Sequence, residues 1–454
     1  FAWPVAVVSL AWGLSTASAD ADPPCDGVCI YASPSGSGTD CSFAAPCSLT
    51  TGIAAIDLAL PISANVHLIL RGGTYLITQP LELGPQHSGS GAFRVFIENY
   101  TGEVPVLSGG IGVTGWTLFD AAQNIYVANV PAGTASRQLY VNGVRAQRAR
   151  GFFNANYQKT STGYTLVGFP TSWPNSNVTD LEFVALEHWK SIRCPVSSVT
   201  PAGSTTAINV AQPCWDHAQA GAPYFILGKP DWMENAFELI DEPGEWYLNR
   251  AAVPPKLYYK PRPGETMTTA LVVVPNIETL VRFQAVDGLL ASNIVLKGLT
   301  FSHTTWTWAD SLLGYIPWQA GIVGCVSGYP CPVGSKPPAA VALDESQDVR
   351  VERCTFEHLG GSGLSISGPS LQNEVEGNVV RDVASVGIIV GDVSEPPSSS
   401  AMTNNLVRNN FVTDTGRDYY DAAGILVGYA RDTQVTHNEL RNLPYTGISV
   451  GWGW

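Results

Sequence analysis

The 454 residues are 45% apolar and only 14% charged, with 45 Gly and 32 Pro, which gives ample core for two or three domains and suits an all-β fold over a helical one. The net charge of −14 excludes a nucleic-acid backbone as a natural partner. It also weighs modestly against a polyanionic polysaccharide, unless a local basic groove overrides it.

In chain order, residues 1–19 are apolar to about Leu14 and then small, and Ala17-Ser18-Ala19 forms an A-x-A cleavage pattern ahead of Asp20 and Asp22. This predicts a signal peptide that lacks its initiator Met and basic region, and hence a secreted or cell-surface protein. A buried strand of the mature fold is the alternative. No other stretch is long and apolar enough to span a bilayer. Cys25, Cys29, Cys41 and Cys47 crowd one segment, Cys194/Cys214 and Cys325/Cys331 make local pairs, and Cys354 is left over. In an oxidising compartment these read as loop staples of open connectivity. Zinc is the rival, but none of the seven His sits near them at ligand spacing, so no metal is assigned. Asn99-Tyr100-Thr101 and Asn177-Val178-Thr179 are glycosylation sequons.

Residues 20–111 form an N-terminal segment in which 65–77 reads as strand, turn, strand. Prolines, tryptophans and alternating runs such as Lys256-Leu257-Tyr258-Tyr259-Lys260 predict an inserted β domain over 112–285. From 286 to 454 the chain repeats. Segments 351–356, 375–380, 406–411 and 435–440 superimpose, placing Cys354, Asn378, Asn409 and Asn438 in one column. A Gly and a short β-branched strand follow each, at Gly363, Gly387, Gly424 and Gly447. The offset from column to Gly is 9 in three copies and 15 in the third, which therefore carries six inserted residues. A fainter copy lies at 294–301. Coils of about 24 residues that cannot bury an apolar face alone predict a parallel β solenoid, with side-chain amides bonding along the Asn column and Cys354 a buried thiol. The chain stops at Trp452 and Trp454 straight after a repeat strand, without a polar cap, and so reads as incomplete at both ends.

Several segments resemble one group of proteins. Tyr31-Ala-Ser-Pro-Ser-Gly-Ser-Gly38, Leu70-Arg-Gly-Gly-Thr-Tyr75 and Gly102-Glu-Val-Pro-Val-Leu-Ser-Gly-Gly110 look like the opening of large secreted right-handed β-helix proteins. Arg137-Gln-Leu-Tyr-Val-Asn-Gly143, Pro243-Gly-Glu-Trp-Tyr-Leu248 and Tyr445-Thr-Gly-Ile-Ser-Val-Gly-Trp-Gly-Trp454 are similar to the same group. The resemblance, from about residue 30 to the end, is to the pectin-lyase-like superfamily and within it to glycoside hydrolase family 141. It implies a right-handed parallel β-helix with an inserted β domain, acting on a polysaccharide. The family usually continues into coils with an acidic Asp-Gly-Gly-type turn that has no match here, so part of an active site is expected beyond this sequence.

Stacking makes columns worth reading for chemistry, because equivalent positions lie about 4.8 Å apart. Five residues after each strand-start Gly come Gly368, Asp392, Tyr429 and Trp452, an acid beneath two aromatics that suits a sugar subsite. A solvated loop edge is the plainer alternative. Four residues after the Leu/Cys/Asn column come His303, His358, Asp382, Thr413 and Asn442, where His358 and Asp382 form a candidate acid/base pair or a hydrogen-bonded corner. The insertion Thr413-Asp-Thr-Gly-Arg-Asp-Tyr-Tyr-Asp421 lifts Arg417, Tyr420, Asp421, Asp414 and Asp418 out of the coil, as a binding loop or a solvated turn. Trp306, Trp308, Asp310, Tyr315 and Trp318 make another aromatic loop able to wall the same cleft.

Glycoside hydrolysis uses two carboxylates, about 5–5.5 Å apart for retention and about 6.5–9.5 Å for inversion. Asp392 and Asp421 are the pair favoured by position. The leading expectation is a secreted, monomeric, cofactor-free glycoside hydrolase acting on a cell-wall or algal polysaccharide or oligosaccharide. A Ca²⁺-dependent lyase or epimerase needs a Lys or Arg base, and no Lys follows Lys336, leaving Arg381, Arg408, Arg417, Arg431 and Arg441. A non-catalytic glycan-binding surface protein is the third expectation.

Overall fold

The computed structural model describes residues 25–451 apart from 60–61, 153–155, 171–172, 221–225, 325–333 and 398–401. The expected signal peptide, the Cys325/Cys331 pair and Trp452 fall outside the described residues. Strands of three to six residues wind into three parallel sheets of eight, seven and seven strands. The first sheet runs from Gly27–Ala32 to Gln434–Thr436, the second from Gly73–Leu76 to Glu439–Arg441, and the third from Leu81–Leu83 to Ile448–Val450. A three-residue strand buries one or two side chains, so the core exists only as columns between coils. Ile97, Leu296, Val351, Val375 and Val407 stack along the first sheet. Leu107, Phe301, Phe356, Val380 and Val412 stack along the second, with the two Phe rings 5.1 Å apart. Phe283, Leu343, Ile366, Val390 and Val427 complete the core from the third.

The N-terminal end is covered by an α-helix, Leu49–Leu58, started by the Ser48 side chain, which accepts from the Thr51 N–H. It lays Leu49, Gly52 and Ile56 on the first coil. Gly52 permits the close approach, since a Cβ there would sit 2.6 Å from Leu68 Cδ1.

The corners explain the repeat and correct its register. Asn378 Oδ1 accepts from the Cys354 N–H, Asn410 Oδ1 from Asn378 N–H and Asn438 Oδ1 from Asn410 N–H, at 2.9–3.0 Å. The buried amide column therefore holds Asn410, where the sequence pattern placed Asn409. Asn409 sits one residue earlier in a left-handed turn (φ 56°), in a column with Arg353, Gly377 and His437 (φ 52°, 68° and 56°). Asn suits both places, which is why the slip arose. With the register moved by one, the insertion is five residues, not six, and the corner column reads His303, His358, Asp382, Asp414 and Asn442, with Asp414 replacing Thr413. All five are left-handed, with φ between 51° and 61°. A second ladder, unforeseen from the repeat, links Val349, Asn373 and Asn405 at the other corner.

Between the second and third sheets of one coil the chain leaves along Gly110–Val113 and returns along Val272–Pro275, paired antiparallel as a neck. The inserted part holds a five-stranded and a seven-stranded sheet, each with its own core. Cys194 and Cys214 are bonded within the seven-stranded part, and Cys25–Cys29 and Cys41–Cys47 staple the N-terminal loops. Cys354 is free and buried, its thiol pushed up to about 12 by burial.

Candidate active site

Where the inserted domain leans on the corner between the second and third sheets, a cavity of about 490 Å³ opens. The inserted domain supplies Arg145, Arg148, Arg150, Trp232 and Glu234 to its wall, and the coils supply Arg417, Asp418, Tyr420 and Asn442. Trp232 and Tyr420 meet edge-to-face at 6.2 Å, and the Arg150 guanidinium lies 5.3 Å from the Trp232 ring centroid.

A buried ionic network holds this wall. Arg137, 1% exposed in its side chain, forks onto Glu182 at 2.6 and 3.0 Å and also binds Asp310. Burial alone raises the Glu182 carboxyl, but Arg137 and Arg148 outweigh it and hold the group down at about 2. Arg148 bridges Glu182 and Glu234 at 2.9 and 3.0 Å. Glu234 also accepts from Arg193 at 2.5 Å and from the Trp232 indole N–H at 2.8 Å. Arg193 reaches on to the Asp418 carbonyl at 2.6 Å, so one guanidinium ties the two cavity carboxylate residues together.

The Asp418 side chain accepts from Arg145 Nη1 at 3.2 Å and Gln138 Nε2 at 2.8 Å. Arg145 continues to Asp382 at 2.6 Å, and His358 Nδ1 lies 2.7 Å from the other Asp382 oxygen. Burial works against the Asp382 carboxylate, yet Arg145 and His358 together leave it well below the usual range. The adjacent-coil pair expected from the repeat is thus formed, directly behind the cavity wall. Its neighbour His303 is driven down to about 3 by burial and by the nearby His358, and its Nδ1 is 2.9 Å from Ser108 Oγ.

The remaining candidates are dispersed. Asp421 lies on the cavity loop but turns inward, 2% exposed, accepting from Tyr315 OH at 3.0 and 3.1 Å and from Gly321 N–H at 3.0 Å. Burial pushes its carboxyl up to about 7. Asp392 lies past the other end of the third-sheet strands, paired with Lys336 at 2.7 Å and accepting from Gly368 N–H at 3.1 Å. A strand such as Ile425–Val427 alone spans roughly 10 Å, so Asp392 and Asp421 do not face one glycosidic bond together. Tyr429 stacks on Asp392 through its backbone, as the column predicts. Trp306 is buried against Tyr315 and Tyr419 at 5.8 and 5.0 Å, and the half-buried Trp308 packs on the same cluster, so neither lines the cavity.

Sequence reasoning missed Glu234 and every inserted-domain arginine. One trace was available: Arg137, Arg145, Arg148 and Arg150 fall within fourteen positions of a chain with only 24 Lys and Arg in all.

With this geometry in place, likeness to known proteins narrows the field. Residues 123–262 match the model of the glycoside hydrolase family 141 insertion domain, and residues 285–440 that of the right-handed β-helix region. A solved structure described as a glycoside hydrolase is 28% identical with a TM-score of 0.83, covering 94% of this chain and 80% of its own. The structure of XylC with xylose is 13% identical with a TM-score of 0.53, over 93% of this chain and 59% of that one, a likeness of fold alone. No curated protein matches the sequence.

Proposed function

We propose that this chain, a right-handed parallel β-helix bearing a family 141 insertion domain, is a secreted glycoside hydrolase that cleaves a polysaccharide in the cavity between insertion and coil. One observation carries the reading. Two carboxylates, Asp418 and Glu234, come from different domains onto one cavity, beside Trp232 and Tyr420. Glycosidic cleavage needs two such groups, one to protonate the leaving oxygen and one to act as nucleophile or base. The half-buried Tyr420 ring gives the cavity a flat aromatic face that suits a sugar, while Trp232 is buried beneath Arg150. The likeness at 28% identity to a glycoside hydrolase and the three disulfides among the described residues, which fit an oxidising compartment, support the same reading.

Asp382 and His358 act here as positioning residues, holding Arg145 against Asp418. Asp421 anchors the loop that carries Asp418 and Tyr420. Asp392 and Tyr429 stand outside the cleavage step.

The test is release of reducing ends from a panel of plant and algal polysaccharides, with ultraviolet absorbance followed in parallel. Asp418→Asn should lower kcat on the order of 10²-fold or more while far-ultraviolet circular dichroism stays native. Full activity in that variant would overturn the assignment. Ca²⁺-dependent absorbance from unsaturated ends would establish elimination instead of hydrolysis.

A further inference from the structure

We infer that the cavity selects glycans carrying a negative charge, a uronic-acid carboxylate or a sulfate ester, on the sugar seated against Arg150 and Arg417. This rests on the cavity being the glycan site. The observation behind it is an ion-pair inventory. Arg137, Arg145, Arg148 and Arg193 are each matched by carboxylates, drawn from Glu182, Glu234, Asp310, Asp382 and Asp418. Arg150 and Arg417 line the same cavity with no carboxylate partner among the described residues. In a protein of net charge −14, two unmatched guanidinia at one concavity are a local reversal of sign.

Arg150 is also prepared for a ligand. Its guanidinium rests over Trp232, and the Gln147 amide, with its oxygen turned inward, accepts from Nε at 2.6 Å and Nη1 at 3.0 Å. That holds the plane and leaves Nη2 without a partner among the described residues. Thr415, 1% exposed and on the cavity wall, keeps its hydroxyl without a hydrogen-bond partner, and so does the half-buried Arg148 with its Nε. A planar fork with spare donors matches the paired oxygens of a carboxylate or sulfate, and a neutral hydroxyl would leave that charge unanswered.

The test is calorimetric titration of the full chain with matched trisaccharides: oligogalacturonate against its methyl ester, and a sulfated galactan oligomer against its desulfated form. One charged probe should bind about tenfold or more tighter than its neutral twin, and the winning arm identifies the charge. The preference should fall to within about threefold in Arg150→Gln/Arg417→Gln, and partly in Arg417→Gln, whose exposed side chain leaves folding unaffected. Equal binding of charged and neutral twins, no binding of either charged probe, or a preference that survives the double variant would each overturn the inference. Anion preference without reducing-end release would sink the hydrolase reading alone. Hydrolysis of a neutral glycan without that preference would sink this one alone.

Discussion

Asp421 shows how burial alone can reset a side chain. Its carboxyl is pushed up from 3.8 to about 7 by loss of solvent, which Tyr315 and the Gly321 N–H only partly offset. The folded protein therefore binds a proton there that the unfolded chain has released between about pH 4 and 7. The stability tied to that proton is fully present below about pH 4 and is lost as pH rises through about 7. Thermal melting between pH 5 and 8 should show this decline, and Asp421→Asn, neutral and of the same shape, should flatten it. An unchanged slope in the variant would assign the pH dependence elsewhere. In the cavity wall Arg137 and Glu182 are both nearly solvent-free, so Arg137→Met leaves Glu182 to Arg148 and Asp310 to Arg250 alone and should cost about 3 kcal/mol by urea denaturation, the low end for a broken buried pair. The His358–Asp382 pair was legible from column arithmetic because both sit at one corner of adjacent coils. The Arg137 network was not, since its members lie 45 and 173 residues apart with no repeat to align them.

At the scale of the coil, the amide ladder sets the register, and adjacent Asn409 and Asn410 test it. Asn378 receives the Cys354 N–H and donates to the Val351 carbonyl at 2.9 Å, both buried. Asn378→Ala orphans both groups and should cost roughly 2–5 kcal/mol, as should Asn410→Ala. Asn409→Gly should stay within about 0.5 kcal/mol, because φ of 56° suits glycine and the side chain is exposed. Equal losses at 409 and 410 would contradict the assigned register. Sequence pattern located the strands well, since a three-residue strand with an inward Val or Ile recurs at nearly fixed spacing. It failed by one residue where two asparagines competed for two turn positions with similar demands.

Over the whole molecule, the helical two-thirds and the insertion differ in what sequence reveals. A solenoid writes its fold as repetition, so its stacked coils of short strands, its buried Cys354 and one of its corner pairs were accessible. Segments such as 351–356 were nevertheless read as one piece where the chain turns from the first sheet to the second. The insertion folds by long-range antiparallel pairing with little periodicity, and it supplies half of the cavity wall. The candidate site is thus a seam, one side repetitive and one side not, and only the coil side offered Arg417, Asp418 and Tyr420 to inspection. The seam is tied by Arg145 to Asp382 and by Arg193 to the Asp418 carbonyl.

Successive rungs of the amide ladder are 24, 32 and 28 residues apart in sequence, yet each makes the same bond. A coil can therefore gain or lose residues at its outer bends while its neighbours keep phase, since the rung re-indexes the chain once per turn. The scaffold behaves like a spine with interchangeable ribs. Its outer bends lengthen or shorten turn by turn while the core columns stay in phase.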